Sequence, residues 1–81
     1  MPIFAVRFKG MLNKLEIERL DRAGITIEDQ EPSLQIGTIR TGAPIYTVHA
    51  EAESEQAALQ KVREALDPDT GNFSNWETGP A

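Results

Sequence analysis

The chain contains no cysteine, which removes disulfides, thiolate metal ligands, thiol nucleophiles and thiol redox switching together. It has one histidine, His49, too few for a multi-histidine metal site and a poor basis for a serine-histidine-acid arrangement. Basic residues are also scarce. Eight Lys and Arg against thirteen Asp and Glu leave a formal charge of −5, which disfavours a nucleic-acid partner because such affinity comes from clustered cations releasing phosphate counterions. Arg7, Lys9 and Lys14 lie close together in sequence, and we read them as a solvated edge. No apolar run approaches the roughly 18 residues that span a bilayer. The segment Met1 to Lys9 lacks a basic flank followed by a long apolar stretch. The expectation is a soluble cytoplasmic protein. Neither a Gly-x-Gly-x-x-Gly fingerprint nor a Gly-Lys-Ser/Thr phosphate loop occurs, so neither familiar kind of nucleotide site is expected.

What is present is ordinary for a folded domain: 81 residues, 40% hydrophobic and 26% charged. That length gives one domain and a thin stability margin, to which a partner surface would add. We take residues 1–78 as the domain and Gly79, Pro80 and Ala81 as a flexible tail.

Phe4, Val6 and Phe8 alternate with Ala5, Arg7 and Lys9, the period of a strand with one covered face. Gly10 breaks it, and Asn13 can cap a helix running to about Arg22, although a start as early as Met11 is open. Leu12, Leu15, Leu20 and Ala23 form that helix's apolar stripe, which should bury against the sheet. Gly24 suits a left-handed helix end, and Ile25-Thr26-Ile27 begins a β-prone run. Residues Glu28 to Ser33, polar and containing Pro32, read as irregular.

Leu34 to Ile39, with Gly37 as a bulge candidate, and Ile45 to Ala52 then read as a hairpin around the turn Arg40 to Pro44. In the later strand Tyr46, Val48, Ala50 and Ala52 share the core face, leaving Ile45, Thr47, His49 and Glu51 outward. Ser54 caps a second helix whose stripe is Ala57, Ala58, Leu59, Val62, Ala65 and Leu66, ending before Pro68. A short strand from Phe73 to Thr78 carries Trp76. The order β-α-β-β-α-β predicts an α+β chain: a two-layer ferredoxin-like sandwich with an antiparallel sheet and both helices on one face.

Chemistry is harder to find. The carboxylates Glu28, Asp29 and Glu31, and Glu51, Glu53 and Glu55, lack the spacing of a calcium loop, as does Asp67 to Asn72, so no metal and no cofactor are expected. His49 with Glu51 is the only acid/base pairing on offer, and we expect no enzyme. Backbone amides at the strand-to-helix turn, with Lys9, Gly10, Met11 and Asn13, form a candidate small-ligand site. Ala5, Arg7, Ile45, Thr47, His49 and Trp76 form a candidate interaction surface, with Ile39 a further outward apolar candidate; for Trp76 packing over one end of the sheet is the favoured alternative.

The stretch from Gly10-Met11-Leu12 through Leu20-Asp21-Arg22-Ala23-Gly24-Ile25-Thr26-Ile27-Glu28-Asp29 resembles the first half of ACT-type regulatory domains. It shares their order of glycine loop, amphipathic helix and Ala-Gly-Ile-like strand entry over about 20 residues, a small ferredoxin-like unit of the kind described above. Phe8 and Lys9 stand where that family carries an acidic residue and a proline. The resemblance implies an amino-acid-like effector held at an interface between paired domains by the loop Phe8 to Leu12. The residues thus lead first to a non-catalytic interaction or regulatory module, homodimeric or bound to another protein through its sheet, and second to a small-molecule sensor.

Overall fold

In the computed structural model, which describes residues 1–31, 35–36, 39–40 and 44–81, the chain forms strands β1 (Ile3–Lys9), β2 (Thr26–Glu31), β3 (Gln35–Ile36), β4 (Ile39–Arg40), β5 (Ile45–Glu51) and β6 (Ser74–Pro80). Helix α1 (Lys14–Arg22) follows β1, and helix α2 (Glu55–Leu66) with a 3-10 turn (Asp69–Asn72) joins β5 to β6. The main sheet has the order β2-β5-β1-β6, every neighbour antiparallel. With the small β3-β4 pair set aside as an insertion, this is the β-α-β-β-α-β, ferredoxin-like α+β arrangement that the sequence predicts. Among the described residues no helix is long and apolar enough to cross a membrane.

The period-two reading of the two central strands holds. Val6, Phe8, Tyr46, Val48 and Ala50 are buried on one face with Ala52 beyond β5, and Ala58, Val62 and Leu66 of α2 close over them. Phe8 is the hub of the aromatic packing: its ring centroid lies 5.0 Å from Trp76, 5.3 Å from Phe73 and 5.7 Å from Tyr46. Edge-to-face and offset arrangements at this range add to the burial itself. Tyr46 is buried with its hydroxyl at the rim, 3.9 Å from the Met11 sulfur.

Helix α2 is capped by Ser54 Oγ, which accepts from the Ala57 N–H, and it stops at Asp67, whose extended backbone precedes Pro68. Its stripe is narrower than expected, since Ala57 is exposed. Helix α1 departs further from expectation. Asn13 is its N-cap, but a reciprocal pair of 2.8 Å bonds, Glu16 N–H to Asn13 Oδ1 and Asn13 N–H to Glu16 Oε1, draws Glu16 inward until it is only 2% exposed. Leu15 is thereby rotated out and is 54% exposed. The buried side of α1 runs Leu12, Glu16, Leu20 and Ala23, a spacing of about one helical turn.

Three further expectations are corrected. The main-sheet partner of β5 is β2, not the segment around Leu34 to Ile39: Gln35–Ile36 pairs with Ile39–Arg40 in a separate ladder. The polar residues Glu28 to Glu31 are strand. An edge strand tolerates charge because only one of its margins is hydrogen-bonded. Finally, β6 continues to Pro80, with Gly79 opposite Ala5 and Pro80 opposite Phe4. Proline is admissible there because β6 is an edge strand whose outer margin needs no donor. Pro32, Ser33, Leu34, the Gly37 bulge and the turn residues Thr41, Gly42 and Ala43 lie outside the described residues.

Candidate functional site: the open face of the sheet

Because α1 and α2 cover the same face of the sheet, the odd-numbered residues of β1 and β5 form a surface with no layer above it among the described residues. The register sets Ala5 beside His49, Arg7 beside Thr47 and Lys9 beside Ile45. Strand β6 continues the rows with Gly79 next to Ala5 and Glu77 next to Arg7. The centre therefore sets the small or β-branched side chains Ala5, Thr47 and Ile45 beside the longer polar ones of His49, Arg7 and Lys9.

Arg7 organises the charge. Its guanidinium lies 3.2 Å from the Glu31 carboxylate on one side and 3.9 Å from that of Glu77 on the other. Strands β2 and β6 thus each send an acid toward a cation on the central strand. All three side chains are 41% or more exposed, so each ion pair is worth less than about 1 kcal/mol. His49 Nδ1 lies 3.7 Å from Glu28 Oε1. Glu28 is placed there by an irregularity in the β2-β5 register between Ile27 and Asp29.

A second irregularity, between Arg7 and Lys9 in the β1-β6 pairing, coincides with a left-handed backbone at Asn75 (φ 57°). It opens a depression of about 170 Å³ lined by Arg7, Lys9, Ile45, Asn75 and Glu77. Among the described residues Lys9 has no ion-pair partner.

The candidate interaction residues Ala5, Arg7, Ile45, Thr47 and His49 converge on this face. Trp76 does not. It lies on the helix side against Phe8, with the Arg63 guanidinium 5.8 Å from its ring centroid. Ile39 belongs to β4, outside the main sheet. The residues of the strand-to-helix turn are dispersed. Lys9 faces the depression, whereas Gly10 is buried and its N–H donates to Pro44 O at 3.0 Å. A β-carbon at Gly10 would overlap the Phe73 ring and sit 2.9 Å from Asn72 O. Met11 is exposed, and Asn13 is engaged in the α1 cap. The amides of Gly10 and Asn13 are thus already bonded within the chain. His49 and Glu51 share the outward side of β5, but the carboxylate nearest His49 is Glu28.

Sequence reasoning missed Glu31, Glu77 and Asn75 as members of the surface. The signal for Glu77 was its alternation with Trp76 in the last strand. Glu31 carried none, since its strand character depends on pairing with β5. Comparison of the chain with protein-family models, with curated proteins and with solved structures gives no match.

Proposed function

We propose that the protein is a non-catalytic interaction module that self-associates face to face through the open side of its sheet. The observation that carries this reading is the charge layout about Arg7. The centre of the face holds Arg7, Lys9 and His49 among Ala5, Thr47 and Ile45, while the edge strands bring Glu28, Glu31 and Glu77. Crossing two such sheets lays the acidic edges of one copy over the basic centre of the other, and a twofold axis makes every such contact twice.

Four strands of up to seven residues give a face roughly 20 Å by 23 Å at the usual strand spacing and rise. At about 460 Å² per copy that falls below the roughly 800 Å² per partner of a standard interface, so the dimer should be weak and reversible and should weaken with salt.

Sedimentation equilibrium from low micromolar to near-millimolar protein tests the reading. The expected result is a reversible shift from monomer to dimer mass that Ala5→Arg and Ile45→Asp each abolish with the fold retained. A chain that stays monomeric throughout, or a dimer indifferent to both substitutions, overturns it.

A further inference from the structure

Strand β2 ends the sheet on one side, and among the described residues no strand pairs with its outer margin. The opposite edge, β6, is interrupted by Gly79, Pro80 and the left-handed Asn75. Of the two edges of the main sheet, β2 is therefore the one free of proline and of left-handed residues, and it offers backbone donors and acceptors to an incoming strand on either side of its register shift between Ile27 and Asp29.

Above that margin α1 leaves a groove of about 290 Å³, lined by Ile17, Glu18 and Asp21 from the helix and by Ile25, Thr26 and Ile27 from the strand and its approach. Its floor is aliphatic, and Ile17 is 42% exposed at its mouth. Its rim carries one sign of charge. Glu18 and Asp21 stand there on the helix side, while Asp29 lies outside the groove on the other face of β2, beside Thr47; among the described residues none of the three has an ion-pair partner.

We infer that the β2 margin and the α1 groove together receive an extended basic peptide segment, in which aliphatic side chains alternate with lysine or arginine. The segment adds a fifth strand beside β2. Its aliphatic side chains enter the groove against Ile17 and Ile27, and its cations lie on the opposite side near Asp29. A second copy of the same strand is the wrong occupant, because pairing β2 with itself sets Glu28, Asp29 and Glu31 against their own kind. The groove lies on the helix side of β2, away from the open face, and its occupation does not depend on self-association.

The test is a titration of the full-length chain with an acetylated, amidated heptapeptide of alternating lysine and valine, followed by amide and methyl NMR. Shifts are expected at the amides of residues 26–31 and the methyls of Ile17 and Ile27. A peptide with glutamate in place of lysine should produce none. Ile17→Lys and Asp29→Lys should each weaken binding about tenfold or more, as loss of a central anchor or of a matched charge does. Glu18→Lys, at an exposed helical position, serves if the first variant fails to fold.

Binding should persist in Ile45→Asp, which disables the open face. Loss of peptide binding with dimerisation intact would therefore count against this inference alone. Shifts confined to the open face, equal shifts with the glutamate peptide, or none at millimolar peptide overturn it. So do shifts at 26–31 that grow with protein concentration in the absence of peptide.

Discussion

The ring of Phe73 fills the space that a side chain at Gly10 would need. Gly10 has φ 156°, its N–H is bonded to Pro44 O, and a β-carbon built on it would run into the ring and into Asn72 O. One glycine thereby fixes the exit of β1, the entry to β5 and the approach to β6 at a single point.

Gly10→Ala should accordingly cost about 2–3 kcal/mol, from overpacking together with an unfavourable backbone. Urea denaturation of the variant measures it. An unchanged midpoint would mean that Phe73 can move aside, and that the turn has more room than its packing indicates.

The α1 cap gives a sharper comparison. Asn13→Ala and Glu16→Ala should each lose about 1 kcal/mol, and the double variant less than the sum, because each removes half of one reciprocal pair. Glu16→Gln should stay near the wild-type stability, since an amide oxygen can accept the same bond. Thermal melts of the four variants beside the wild type decide the matter.

Two leucines of α1 should behave differently. Leu20 is fully buried whereas Leu15 is more than half exposed, so Leu20→Ala should cost about 2–5 kcal/mol and Leu15→Ala less than about 1 kcal/mol. Equal losses would restore Leu15 to the core.

Deleting residues 79–81 removes the pairing of Gly79 and Pro80 with Ala5 and Phe4. We expect a loss of about 1 kcal/mol. Trp76, the only tryptophan, lies in β6 with the deleted residues, packs on Phe8 of β1 and reports the unfolding by its fluorescence. A deletion without effect would make these residues a loose tail after all.

The parts of the fold that were legible in the sequence are those whose local pattern and tertiary environment agree. Phe4 to Lys9 and Ile45 to Glu51 alternate because their strands are central, with one side under helices and the other open. Glu28 to Glu31 could not be read this way. On an edge strand with nearly every side chain exposed there is no alternation to detect, and pairing with β5 alone makes the segment a strand.

Leu15 was misread for a different reason. The apolar wheel outvoted a capping signature, Asn13-Lys14-Leu15-Glu16, that was present and that turns the helix by its own geometry. For the surface, Ala5, Arg7, Ile45, Thr47 and His49 followed from strand phase. The partners of Arg7 did not, because they come from strands 24 and 70 residues away in sequence.

The strand order has a bearing on how the molecule comes into being. Strand β1 is synthesised before both of its neighbours, residues 45–51 and 74–80. The strand that anchors the core must wait, rich in phenylalanine and without its second neighbour, until Pro80 has been made. Sheet formation is therefore a late event dominated by distant closures, which slows folding relative to a helical bundle of this size and leaves the nascent Phe4-Val6-Phe8 face for chaperones to cover.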